Sequence, residues 1–221
     1  MKNDFEIILN EAKDFYNNNE FKNALKYFIK ALDLNINKNF RGEIFFDCGR
    51  CTFFMDKYTE ANKYFEESEK YLDTLNVHTL FLYYYYSGLT NVFLKNFKIA
   101  GDKLSMLLRN QTTEDELAMY HYAMSIYYYR LENFKVMKSF CENALNFKQN
   151  KVYEDLLLFY LAQYYESIND KDGLLNIIKK YLISYPDSNY FKDIAGDMYE
   201  MFLERKEEIL KMSKFPKRSQ V

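Results

Sequence analysis

The sequence has no tryptophan, two prolines and six glycines in 221 residues, which leaves little from which to build hairpins and tight β-turns, so an all-helical chain is expected. Charge of one sign is missing too: 30 basic residues against 32 acidic ones give a formal net charge of −2. No global field draws such a chain to nucleic acid or to an anionic membrane, and any partner must be found by a local surface. The longest apolar run, LFLYYYYSGLTNVFL from Leu80, is too short to cross a bilayer and is interrupted by Ser87, Gly88, Thr90 and Asn91. The first residues, MKNDFEIILNEAKDF, hold neither the apolar stretch of a signal peptide nor the acid-poor composition of a transit peptide. A cytoplasmic protein is expected.

Cysteine and histidine are scarce, at three and two residues, which limits the chemistry the chain can carry. An odd cysteine count fits a compartment that keeps thiols reduced. Cys48 and Cys51, in FFDCGRC, have the spacing of a redox or metal-binding pair. However, GEIFFDCGRCTFF reads as continuous helix, without the preceding strand and helix start of a thioredoxin-like pair. Helical residues at i and i+3 have Cβ atoms about 5–6 Å apart, beyond the roughly 3.5–4.5 Å of a disulfide. A structural zinc site needs four ligands, and no second pair or nearby histidine accompanies these two. His121 falls in a helix-packing column and His78 near a helix start, so both read as structural. With no glycine-rich phosphate loop and no nucleophile–base pairing, a non-catalytic chain with no cofactor and no metal is expected.

Apolar residues are abundant, at 48%, and the rings are 22 Tyr and 20 Phe. They recur with a period. Ala12, Gly49, Gly88, Ser125 and Ala162 are all small and are spaced by 37, 39, 37 and 37 residues. Nine residues beyond each stand Phe21, Tyr58, Phe97, Phe134 and Lys171, and twelve beyond stand Ala24, Ala61, Ala100, Met137 and Leu174. Two further columns follow: Phe28, Phe65, Leu104, Cys141 and Ile178, then Ala31, Ser68, Leu107, Ala144 and Tyr181. Within each unit the apolar spacing is three to four, which predicts two helices, A and B, joined by a polar turn. No unit could bury its apolar face alone, so neighbours must stack.

This pattern resembles the tetratricopeptide repeat (TPR) family, which has a small residue in helix A, an aromatic opening helix B, then Ala, aromatic and Ala. EAKDFYNNNEFKNALKYFIKALDLN, from Glu11, matches best, through Ala12, Phe21, Ala24, Phe28 and Ala31; the repeats degenerate toward Lys171 and Leu174 and exceed the family's usual 34 residues. The resemblance implies an all-α, right-handed α-solenoid of about five TPR-like helix pairs, near 5–38, 42–75, 81–112, 118–149 and 155–187. A capping helix over 188–212 completes a single domain, 1–212, and 213–221 forms a basic disordered tail. Gly49 then sits where helix A passes closest to its neighbour, which accounts for the residue between the two cysteines.

In the family the concave surface is built mainly by helix A, at columns three before and one and four after the small residue. Carried over, the first column is Leu9, Phe46, Tyr85, Tyr122 and Phe159, and its rings look unspent because Ile8, Phe45, Tyr84 and Leu158 already fill the packing column. The expected groove is Phe46, Arg50, Phe53, Tyr85, Tyr86, Leu89, Tyr122, Ile126, Tyr129, Phe159, Tyr160 and Gln163. Such a surface suits an apolar helix or extended peptide segment of a partner. Arginine at Tyr85 and Tyr122 is expected to abolish binding and leave stability nearly intact. The carboxylate clamp of chaperone-binding members needs Lys and Asn at groove columns; Lys13 and Asn17 fit, but Arg50 with Phe54 and Leu89 with Phe93 follow, so chaperone-tail binding is not expected. The expected function is a non-catalytic protein–protein interaction module or adaptor. The alternatives are a sensor for a small signalling peptide, like the quorum-sensing receptors, and a scaffold that self-associates as a homodimer.

Overall fold

Among the described residues, 2–34 and 37–212 of a computed structural model, all regular structure is helical. The pairs are α1 (Lys2–Asn17) with α2 (Phe21–Asp33), and α3 (Lys38–Phe54) with α4 (Tyr58–Glu69). Next come α5 (Val77–Phe93) with α6 (Phe97–Ser105) and the short α7 (Leu107–Asn110), and α8 (Glu114–Arg130) with α9 (Phe134–Leu145). The last pair is α10 (Glu154–Ser167) with α11 (Lys171–Ser184), followed by α12 (Asn189–Ala195), α13 (Tyr199–Glu204) and α14 (Lys206–Lys211). The second, third and fourth pairs begin at Lys38, Val77 and Glu114, four residues ahead of the expected 42, 81 and 118. The excess over a 34-residue repeat lies partly in the links after the B helices, which hold a 3-10 turn at Leu72–Thr74, α7, and a 3-10 turn at Lys148–Tyr153. The predicted array over 1–212 packs as two compact units, 1–123 and 124–221, and the expected tail 213–221 lies outside the described residues.

In the first unit each helix packs on the next, from α1 through α6. The small-residue column is what lets A and B close. A Cβ on Gly49 would lie 2.5 Å from Cε1 of Phe65, and one on Gly88 would lie 2.6 Å from Cδ2 of Leu104. Ala12 and Phe28 hold the same two positions of the first pair, inside a buried cluster with Ala24, Ala31, Ile44, Cys48 and Cys51. Both cysteines of the FFDCGRC stretch are therefore core thiols, free and fully buried. Burial raises both acidities' pKa values, that of Cys51 to about 12, so the reactive thiolate is scarce at neutral pH.

In the second unit α10 packs against α9, α11 and α12. Cys141 takes the position opposite Ser125 and hydrogen-bonds with it. Tyr181 is fully buried, stacks on Phe191 at 5.2 Å and donates its hydroxyl to the Asp155 carbonyl at 2.6 Å. Ser188 caps α12, accepting from the Tyr190 and Phe191 N–H groups. The closing segment is three short helices rather than the single helix expected over 188–212. It breaks at Gly196, whose φ of 50° lies in the left-handed region, and again at Arg205.

The A-to-B turns share one device. Asn19, Asp56, Lys95, Glu132 and Asn169 all have positive φ, between 55° and 62°, and each lies seven residues beyond a small-column residue. The N–H of the next residue bonds back to the carbonyl five before it, as in Asn96 to Asn91 and Asn133 to Tyr128, both within 3.0 Å. That is a Schellman closure, which satisfies the last carbonyls of helix A and reverses the chain. Glycine is usual at this position, and here none is used. An L-residue held left-handed costs about 1–2 kcal/mol, less for Asn and Asp. Lys95→Gly and Glu132→Gly are each expected to raise stability by about 0.5–1 kcal/mol after the extra freedom of the unfolded glycine is subtracted, a gain read as a higher denaturation midpoint. Asn19→Gly should change it less.

Candidate functional site

The A helices of the first three pairs surround a cavity of about 300 Å³ in the first unit. Helix α1 supplies Lys13, Tyr16 and Asn17, α3 supplies Glu43, Phe46, Asp47 and Arg50, and α5 supplies His78, Thr79 and Leu82, with Phe28 from α2. The i, i+3 and i+4 spacing of helix α3 puts Glu43, Phe46, Asp47 and Arg50 on one face. Lys13 stands 3.8 Å from Glu43, both about half exposed.

Arg50 is the centre of the site. Its guanidinium lies 4.3 Å from the Tyr16 ring centroid and 4.9 Å from that of Phe46. Its Nε and Nη2 donate to Oδ1 of Asp47 at 3.2 and 2.5 Å. Asp47 is only 4% exposed. Desolvation raises its pKa above the ordinary carboxylate value, and the charge and hydrogen bonds of Arg50 oppose that rise without cancelling it. For Arg50, burial pushes the pKa down, but the charge and hydrogen bonds of Asp47 together with the Tyr16 and Tyr86 hydroxyls outweigh it and the net direction is up. Desolvation also pushes the Tyr16 hydroxyl up, against the lowering effect of Arg50, so it stays a neutral donor. The result is a largely buried ion pair at the wall of a cavity, with the guanidinium between two rings.

At the edge of the cavity, His78 Nδ1 lies 3.0 Å from Oε1 of Glu116. Glu116 closes a capping box at the start of α8: its Oε2 accepts from the Thr112 N–H at 2.6 Å and the Thr113 N–H at 3.2 Å, while its own N–H donates to the Thr113 hydroxyl at 3.1 Å. Desolvation alone would raise the Glu116 pKa, but these hydrogen bonds and that of His78 hold it below 4.5. A carboxylate with a lowered folded pKa adds stability that is complete above 4.5 and lost as pH falls through the folded value. Glu116→Gln should therefore cost stability at neutral pH and lose less than the parent on acidification, a comparison made by urea midpoints between about pH 6 and pH 3. Equal acid slopes in the two proteins would discard the capping-box account.

Of the expected groove residues, Phe46, Arg50, Phe53, Tyr85, Tyr86, Leu89 and Tyr122 lie in the first unit and Ile126, Tyr129, Phe159, Tyr160 and Gln163 in the second. Phe46, Tyr85, Leu89, Tyr122, Ile126 and Tyr160 are buried, none more than 9% exposed. In α3 and α5 the neighbouring positions Phe45 and Tyr84 are the more open, at half-buried, whereas in α10 the order is reversed, with Leu158 fully buried and Phe159 half-buried. In α5 the ring three before the small residue is not spare, since that helix is buried on nearly every side, from Phe81 and Tyr83 through Ser87 to Val92. Arginine at Tyr85 or Tyr122 would bury a charge, so those substitutions test stability rather than binding.

The half-buried members do come together. Phe53 meets Tyr86 at 5.3 Å and Phe93 at 6.0 Å, and Tyr86 meets Phe54 at 5.6 Å. Phe54 stacks on Phe21 at 4.9 Å and Tyr58 stacks on Phe93 at 4.5 Å. In the second unit Tyr129 stacks on Tyr160 at 4.3 Å, Phe159 meets Tyr190 at 5.3 Å, and Gln163 donates to Glu166 at 3.3 Å. Among the described residues no three His, Cys, Asp or Glu side chains gather as metal ligands would. No described helix is long and apolar enough to cross a membrane.

Paired helices, small-to-large interlocks and A helices around a cavity define a TPR-type helical-repeat fold. No family model and no curated protein matches the sequence. Solved structures do. The chain is similar to the apo form of RapI, with a TM-score of 0.68 and 14% identity over 94% of this chain. It is also similar to the Rap conjugation gene regulator of plasmid pLS20 in complex with the Phr* peptide, with a TM-score of 0.59 and 9% identity over 95% of this chain and 72% of that one. YrrB, a TPR protein with an unusual peptide-binding site, has a TM-score of 0.54 and 17% identity over 91% of this chain and 90% of that one. The chain spans 61% of the length of RapI.

Proposed function

We propose that this chain is a non-catalytic module that holds a peptide segment of a protein partner in the cavity and aromatic strip formed by α1, α3 and α5. The observation that carries this reading is Arg50, fixed between the Tyr16 and Phe46 rings and tied to the buried Asp47 at the wall of an open cavity. Ligand sites are concave and combine apolar walls with a small number of positioned polar groups, and this arrangement has both. Three buried free cysteines support a reducing, cytoplasmic setting. The Rap regulator of pLS20 is seen with the Phr* peptide, and a peptide is the ligand class proposed for this chain as well.

Asn17 offers a clean test, because it is exposed and lines the cavity. Asn17→Trp should fill the mouth and leave stability within about 0.5 kcal/mol, as for exposed positions generally. Peptides selected on the full chain from a displayed random library should bind the variant about tenfold more weakly or worse, the loss of one anchor contact. Equal binding would place the peptide site elsewhere. The second reading, a sensor for a short signalling peptide, is favoured by the size of the cavity, which accommodates one residue and not a helix; truncation of the selected peptides separates the two.

A further inference from the structure

Every charged side chain that lines the cavity is matched by an opposite one. Asp47, 4% exposed, accepts from Nε and Nη2 of Arg50 at 3.2 and 2.5 Å. Lys13 stands 3.8 Å from Glu43 at the opening, and the Glu116 carboxylate lies 3.0 Å from His78. A further charge entering here would shed its water and find each opposite charge already paired. Between the pairs the walls are carbon: the Phe28 and Phe46 rings are fully buried, and Tyr16 and Leu82 are half-buried.

We propose that the cavity is a subsite for one uncharged, apolar side chain of the bound peptide, and that the Asp47 and Arg50 pair sets this preference by cancelling the charge of the wall. The proposal rests on the peptide reading above and names the class of residue the site selects. A cavity of about 150 Å³ lined by apolar side chains can hold a benzene molecule. At about 300 Å³ this one has room for the side chain of a phenylalanine or a leucine. Specificity is a difference of affinities. An apolar side chain gains burial and ring contacts against Tyr16, Phe28 and Phe46, whereas a lysine or glutamate loses its hydration and can recover it only by breaking a pair that already exists. The preference is then a property of the pairing as well as of the walls. With one partner taken away, the site should turn toward a ligand charge of the same sign as the one removed.

The test uses the full chain and four capped amino acids, each titrated and followed by amide chemical shifts along α1 and α3. Nα-acetyl-phenylalaninamide and Nα-acetyl-leucinamide are the apolar probes; Nα-acetyl-lysinamide carries a cation and the α-amide of Nα-acetyl-glutamic acid an anion. At least one apolar probe should bind, and both charged probes should bind about tenfold more weakly or worse. Asp47→Asn keeps the volume and an oxygen for Arg50 but leaves the guanidinium uncompensated. It should tighten the glutamate probe by about tenfold, the gain of a charge-assisted hydrogen bond, and change the apolar probes little. Should that variant not fold, the pair at the opening gives the same reading more weakly. Glu43→Gln should tighten the glutamate probe and Lys13→Met the lysine probe, each by about twofold to fivefold at low salt. A variant that only loosened the structure would weaken every probe alike. Failure of both apolar probes, a charged probe that binds the parent as tightly as they do, or a folded Asp47→Asn protein with no gain for glutamate would each overturn the proposal. Selected peptides that are blocked by Asn17→Trp and whose anchoring residue is charged would sink this subsite and leave the peptide reading standing. Apolar probes that bind where no peptide can be selected would sink the peptide reading and leave the preference of the cavity standing.

Discussion

Gly49→Leu is expected to unfold the first unit. A Cβ at this position meets Phe65 at 2.5, 2.7 and 2.9 Å, to Cε1, Cδ1 and Cζ, which is closer than any real Cβ contact. The ring has no room to retreat: Phe65 is 1% exposed and packed with Phe46, Ala61 and Tyr83 in one buried cluster. Overpacking a core typically costs about 1–3 kcal/mol and occasionally more, and four extra carbons at a position that excludes one belong at the upper end. The gain in helix propensity from replacing glycine, about 1 kcal/mol at most, does not offset it. Gly49→Ala should cost less than Leu, since Ala12 and Phe28 show that a methyl can share this pair of positions when the pair is built around it. Shrinking the partner supplies the control: Gly49→Ala with Phe65→Leu should recover stability relative to Gly49→Ala alone. Thermal unfolding followed by circular dichroism reads all three, and a Gly49→Leu protein with an unchanged midpoint would show that the A–B contact is not what glycine is there to permit.

That contact was legible in the sequence because it repeats: small residues and their bulky partners recur together at 37 and 39 residues, and chance does not align several columns at once. The A-to-B turns were legible as polar stretches, but their left-handed conformation was not, because the residue that adopts it is Asn, Asp, Lys or Glu rather than glycine. The tertiary packing of A on B imposes the conformation there, and local composition does not announce it. The start of α8 was placed too late for a related reason. Its first turn is polar, and what fixes it is the Thr113–Glu116 box with His78 brought from 38 residues away.

The site was half legible. Arg50 and Phe46 fall in the helix-A columns that the resemblance to the repeat family puts on the inner face. Asp47 lies one residue off those columns, and on most helices an acid three before an arginine is a solvated pair worth little; its burial depends on Tyr16 of α1 and on the packing of α5 against α3, neither of which is local. Tyr85 and Tyr122 erred in the opposite direction. In a run such as YYYY, period cannot say which rings face a partner helix, and α5 is buried on nearly every side.

Arg50→Met is the substitution expected to cost most at the site. It removes the side chain bonded to a carboxylate that is 4% exposed, and breaking a buried pair by deleting one partner typically costs about 3–5 kcal/mol, because the remaining charge is left uncompensated. The methionine stem still fills the space between Tyr16 and Phe46, so the loss reports charge rather than a cavity. Two companions separate these causes. Asp47→Leu with Arg50→Met removes both charges at similar volume, and should lie much closer to the parent than Arg50→Met does, as buried pairs replaced by apolar residues often do. The second is pH. The folded pKa of Asp47 is already raised above 3.8 with Arg50 present and must rise further without it. A group with a raised folded pKa stabilises fully below its unfolded value, and that contribution is lost as pH rises through the folded one. Arg50→Met should therefore regain stability relative to the parent on acidification toward about pH 4, and the double variant should not. A single variant as stable as the double at neutral pH would mean that Asp47 reaches solvent through the cavity and needs no partner.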